Sequence, residues 1–284
     1  MSLTVLLALF SMLAQGASDF FYKKAQERGI VLESYLVIEV IPFVSVAIVF
    51  GYLTGDLTPD REALAYGPLL GLLSFTAIFA FVTSLREGEA GVNTLIFRFN
   101  FILVAVIAFL WLGEDWSLTL GAGLLLAILA IASVTLLGNT RARSARRSLR
   151  PIALAFIAMI FFAFLNVTFK VAVREETSIS FLILVTTASW TVCASVVMVA
   201  RKKWQFPRNN WIFMSATGSL KALAFFSMLS AFRIGGAASV VVPIVQLSFL
   251  VTIVLAAVFL RERLGPPKLI GLGFAITAIF MISR

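Results

Sequence analysis

The sequence predicts an all-α polytopic membrane protein of ten transmembrane helices, arranged as two inverted five-helix repeats. Three observations lead there. Of the 284 residues, 61% are hydrophobic and 13% charged, against roughly 45–50% and 25% in a soluble domain, and a soluble fold cannot bury that much apolar surface. The apolar runs are long enough to cross a bilayer at about 20 residues each, and ten of them leave only short loops and no sizeable soluble domain. Finally, the second half of the chain repeats the first at a nearly constant offset.

Apolar runs separated by polar punctuation place spans at 2–22, 34–54, 64–85, 91–112, 116–138, 151–173, 178–200, 210–232, 237–260 and 266–283. The first run has no basic segment ahead of it, and it continues through Phe21 without a cleavage pattern. It therefore reads as a span and not as a leader. The longest polar break, residues 139–150, carries Arg141, Arg143, Arg146, Arg147 and Arg150. It divides the chain into a first repeat over 1–138 and a second over 151–284, joined by a basic linker.

The two halves read as copies. Leu110-Trp111-Leu112-Gly113-Glu114 is matched by Val258-Phe259-Leu260-Arg261-Glu262, and Gly123 by Gly271, at an offset of 148. The same offset sets Arg98 on Gln246, Asn100 on Ser248 and Leu95 on Pro243. Near the start of each half the offset is 147, setting Asp19 on Asn166 and Lys23 on Lys170, so one gap reconciles the two. Five spans per half is an odd number, so the second copy enters the bilayer from the opposite side. Inverted repeats are the usual architecture of secondary carriers, with the ligand site near the midplane where the copies meet.

Orientation follows from the positive charges. Loops after spans 1, 3, 5, 7 and 9, counted with Lys268 in the first turn of span 10, hold 16 Lys and Arg residues, whereas the other loops and tails hold four: Arg61, Arg174, Arg233 and Arg284. The positive-inside rule puts the first set in the cytoplasm and both termini outside the cell's inner (plasma) membrane.

The repeat, Gly113-Glu114, Arg261-Glu262, Pro243 nineteen residues before Glu262, and Gly16 seven residues before Lys23 together resemble the drug/metabolite transporter superfamily, in its EamA-type branch. The likeness runs over essentially the whole chain. It departs at Gln15-Gly16, where that branch often has Trp-Gly, and at Leu95, which stands where the second half has Pro243. The resemblance implies export or exchange of small metabolites without ATP, by a ten-helix fold with no cofactor. The expected function is a secondary transporter of a small polar, anionic or zwitterionic metabolite by alternating access. The alternative is proton-coupled drug or amino-acid efflux, with Lys221 or Glu39 as the coupling group.

Charges inside a span are costly and usually face a protein interior or an aqueous path. Lys221 lies near the middle of span 8, Arg98 and Glu39 about a third of the way into spans 4 and 2, and Asp19 near the inner end of span 1. Glu39 and Arg98 start from the same side at similar depth, so they are expected to neutralise each other, as a structural pair or as a gate. Lys221 has no acidic partner evident at its depth. It is expected to bind an anionic group of the substrate, with proton coupling and a carbonyl-bonded structural lysine as the alternatives.

The expected substrate-binding residues are Lys221, Arg98, Asn100, Gln246, Gln15, Trp190 and Asn166, with Glu39 and Asp19 in gating or coupling. Asn93, Thr186, Thr187 and Ser189 add hydrogen-bonding capacity, although each such residue commonly serves helix packing. Glu114 and Glu262 fall at helix–loop junctions, where capping or an exposed ion pair is expected.

Other functions fit poorly. The chain has no histidine, and Cys193 is its single cysteine, so a multi-cysteine metal site and the histidine-based hydrolytic arrangements are excluded. No enzyme chemistry is expected, and a membrane-embedded enzyme or a channel is the weaker alternative, since neither clustered acids and bases nor repeated rings of pore-lining charge are present in the sequence. The net charge of +9 is spread over short loops and not along a basic stripe with aromatics, so the expected partners are the lipid bilayer and a small-molecule substrate, with no nucleic acid. The expected assembly is a monomer or homodimer.

Overall fold

In a computed structural model, residues 2–27, 35, 37–136, 149–173, 176–201, 211–259 and 265–283 are described. Residues 139–148 of the basic linker and Glu262 lie outside the described residues. Among those described, every regular element is helical: α1 (Leu3–Glu27), α2 (Val40–Thr54), α3 (Arg61–Glu87), α4 (Ala90–Arg98), α5 (Asn100–Trp111), α6 (Leu118–Leu136), α7 (Leu149–Ala172), α8 (Ile179–Arg201), α9 (Trp211–Arg233), α10 (Ala238–Gln246), α11 (Phe249–Phe259) and α12 (Pro266–Ile282). Eight helical spans, counting α4–α5 and α10–α11 as one each, are long and apolar enough to cross a membrane, and α2 and α12 are shorter apolar helices. The chain is a multi-pass membrane protein.

Helix packing repeats across the halves. α1 packs on α9 as α7 packs on α3; α2 packs on α9 as α8 packs on α3; α6 packs on α12. With no hydrophobic force between helices in lipid, close approach depends on small residues. A Cβ added to Gly123 would strike Ile282, and one added to Gly271 would strike Val134. These are one contact made twice, because Val134 and Ile282 also differ by 148. A Cβ on Gly71 would meet the carbonyl of Thr186, and one on Gly218 the carbonyl of Glu39, the same duplication at the offset of 147.

Loop ends are tied by carboxylates. Asp60 caps α3, its Oδ1 accepting from Ala63 N at 2.7 Å, while its Oδ2 accepts from Ser178 N at 2.9 Å. Glu114 caps α10, accepting from Ala238 N at 2.6 Å and from Ser239 N and Oγ at 2.9 and 2.6 Å. Each carboxylate meets the exposed N–H groups and positive end of a helix. The capping expected of Glu114 is thus present.

Two spans that read as continuous in sequence are broken. α4 gives way to α5 at Phe99, and α10 to α11 at Leu247–Ser248, positions that again differ by 148. At the first break the Asn100 side chain donates to Phe97 O at 2.7 Å. At the second, Leu250 N turns back to Leu247 O at 3.0 Å, although a continuous helix would pair it with Gln246 O. Side-chain intrusion into the main-chain ladder is a recognised cause of such breaks.

Candidate functional site

The breaks face each other in the middle of the bundle. Arg98, the last residue of α4, donates from Nη1 to the freed Gln246 carbonyl at 2.8 Å. Its guanidinium lies over the Phe249 ring, 5.2 Å from the centroid. Gln246 Nε2 in turn donates to Asn100 Oδ1 at 3.1 Å. Arg98 and Gln246 are counterparts in the two repeats, so their mutual contact puts them at the junction of the halves. Asn100 is fully buried, and both ends of its amide are bonded.

A few helical turns away, Lys221 of α9 donates from Nζ to both carboxylate oxygens of Glu39, at 3.0 and 2.9 Å. Glu39 is buried, at 7% exposure. Gly218, one turn before Lys221, lets α9 approach the Glu39 carbonyl and the Pro42 ring closely enough for this reach. The expected pairing of Glu39 with Arg98 therefore does not form, and Lys221 does have an acidic partner. Similar depth from one face was the basis for pairing Glu39 with Arg98. Depth does not tell which helices adjoin, and α2 packs on α9.

Tyr35 was missed. Its ring is buried, at 1% exposure, and the Lys221 ammonium lies 5.9 Å from its centroid. Tyr22 of α1 packs against it with the rings tilted and their centroids 4.8 Å apart, and Trp190, Ile78 and Met214 belong to the same cluster. The available signal is spacing: Tyr35 and Glu39 are four apart, on one face of a helical turn. Trp190 also makes an edge contact with Phe75 at 5.6 Å, so this aromatic wall stands beside the ion pair.

Asp19 joins the two clusters. It accepts from Gln15 Nε2 at 2.8 Å on the preceding turn of α1. The Arg98 and Lys221 charges both act on it. α1 comes this close because Gly16 packs on Ser248 O and Val251, with Thr252 Oγ1 donating to Gly16 O at 2.9 Å. Asn166, the counterpart of Asp19, is buried but bonds within its own helix, to Phe162 O at 2.7 Å. The structure thus brings Lys221, Glu39, Asp19, Gln15, Arg98, Asn100, Gln246 and Trp190 to the interior, while Asn166 is held in α7.

The end of the bundle that carries residues 55–60 holds a second polar network that the sequence did not single out. Asp56 pairs with Arg233 at 3.3 Å and accepts from Ser180 N at 3.2 Å, and Ser178 Oγ donates to Asp56 O at 2.5 Å. It ties the first repeat's loop to the start of α8 and the end of α9. A groove between α2 and α8, lined by Val44, Leu184, Ala188, Val192 and Val196, is apolar and lies among side chains exposed on the flank of the bundle. It has no part in the polar chemistry.

Comparison with known proteins gives three findings. The EamA-like transporter family matches residues 2–136 and again residues 149–284. A curated relative from Sinorhizobium sp., described as an uncharacterized transporter in the cobO 3' region, is 24% identical over 133 residues, covering 45% of this chain and 93% of its own length. A solved structure titled only as the crystal structure of a protein superimposes with a TM-score of 0.80 at 12% identity, over 98% of this chain and 95% of that one. At that identity the likeness speaks for the fold alone.

Proposed function

The chain belongs to the EamA-like transporter family, and from that premise we propose that this membrane transporter is a secondary carrier of a small zwitterionic or anionic metabolite, working by alternating access. The reading takes the chain as ten crossings, the eight long spans together with α2 and α12, in two inverted halves that meet at the broken helices. It takes the membrane to be the inner (plasma) membrane, with both termini outside.

The observation that carries the substrate class is the charge balance of the interior. Two acids, Asp19 and Glu39, stand with two bases, Arg98 and Lys221. A charge brought into a low-dielectric bundle without a partner costs several kcal/mol. A zwitterion adds no net charge. It can exchange partners with the ion pair, its carboxylate taking Lys221 and its ammonium taking Glu39, with Trp190 and Tyr35 as the apolar wall. An anion can take Lys221 only if Glu39 also takes up a proton. Anion transport through this site therefore moves a proton with it, which is the form the proton-coupled alternative takes here.

The test uses purified protein and a panel of amino acids, organic acids and sugar phosphates. A ligand at about 100 times its Kd stabilises the fold by about 2.7 kcal/mol, so the matching class raises Tm. Lys221→Met should abolish that rise, and reconstituted Lys221→Met should lose exchange of the same ligand. A rise that persists undiminished in Lys221→Met removes the lysine from recognition. Dependence of exchange on a pH gradient for anions, and its absence for zwitterions, separates the two modes.

A further inference from the structure

We propose that the Arg98 guanidinium is a tethered cation: it occupies, from within the chain, a cation site at the C-terminal end of the broken helix α10. Carriers with discontinuous helices commonly use freed carbonyls at such ends to hold a coupling cation. Here the freed carbonyl is that of Gln246, because Leu250 N has turned to Leu247 O at 3.0 Å. Arg98 Nη1 takes it at 2.8 Å. Three further features complete a cation site: the negative end of the α10 dipole, the face of Phe249 at 5.2 Å, and the carboxylate of Asp19, which acts on Arg98 electrostatically.

The opposite break shows what the site lacks when no charge is supplied. At the end of α4 the carbonyl of Phe97, which also takes a backbone N–H of the helix cap, is met by the neutral amide of Asn100 at 2.7 Å, and Gln246, the counterpart of Arg98, bonds that same Asn100. One repeat contributes the guanidinium and the other the carbonyl that receives it. The cation is thus a strap between the halves that cannot leave during a cycle, and the site is closed to a free ion. This inference stands on the geometry of the breaks and does not depend on what is transported.

The test is chemical rescue. Arg98→Ala keeps the backbone and vacates the site, so guanidinium chloride at about 10 mM should raise its Tm by about 3 °C relative to the same concentration of choline chloride, whose cation is too large to enter. Wild-type protein, its site filled, should show no such rise. No selective rise in Arg98→Ala, or an equal rise in wild type, overturns the proposal. Should Arg98→Ala fail to fold, Arg98→Gln and Asp19→Asn provide a double-mutant cycle. Vacating the cation removes the larger of the two positive charges acting on Asp19, so Asp19→Asn should recover part of the loss caused by Arg98→Gln. Strictly additive losses overturn the pairing on which the site depends.

Discussion

Lys221 donates two hydrogen bonds to Glu39 inside the bundle, with side-chain exposures of 27% and 9%. Removing either charge leaves the other stranded. A fully buried pair loses roughly 3–5 kcal/mol in that way; the partial exposure of Lys221 screens the loss, so about 2 kcal/mol is expected. Glu39→Lys and Lys221→Glu should each lower Tm and transport, and the double exchange should restore part of both. The same Glu39→Lys combined with Arg98→Glu should restore neither, because Arg98 is held by the Gln246 carbonyl and the Phe249 ring. A rescue by Arg98→Glu in place of Lys221→Glu would reverse the assignment of partners. The residues themselves were legible in sequence, since an ionisable group within an apolar run stands out. Their pairing was not, because neighbours in a helical bundle are set by packing and not by position along the chain.

α6 and α12 are joined through two copies of one contact, Gly123 against Ile282 and Gly271 against Val134. In lipid this contact gains its free energy from close approach, so a β-branched side chain at either glycine forces the helices apart. Gly123→Val and Gly271→Val should each lower Tm, by similar amounts, and should not be additive, because the first substitution already opens the seam that the second would open. Thermal unfolding of both single variants and the double variant measures this. Equal and fully additive losses would mean that the two glycines act in separate interfaces. Spans 4 and 9 show the limit of reading elements from hydropathy. Both are long and largely apolar, yet each is broken where side chains or turned-back amides claim its carbonyls. Pro243 marks the ninth span as unusual, whereas Asn100 in span 4 does not by itself mark a break at Phe99, because a buried Asn commonly serves packing and its amide is fixed here by Gln246 on another helix.

For the whole molecule, the unequal Lys and Arg distribution predicts orientation. A periplasmic reporter fused after Arg284 should be active and a cytoplasmic one silent; the reverse outcome would place the termini inside. The Asp56–Arg233–Ser180 network would then lie on the cytoplasmic face and the Tyr35 cluster on the outer one. The sequence by itself determined that the chain crosses a membrane many times, that it is built of two related halves, and which few polar residues are set among its apolar ones. Composition and periodicity are properties of the chain alone, and the cost of exposing backbone to lipid leaves helices as the response. Only the tertiary structure decided that Glu39 meets Lys221, that Arg98 crosses from one repeat to a carbonyl of the other, and that Tyr35 closes over the ion pair. Those outcomes depend on which helices touch and where their ladders break, and both are settled by small residues and side-chain hydrogen bonds between segments more than a hundred residues apart.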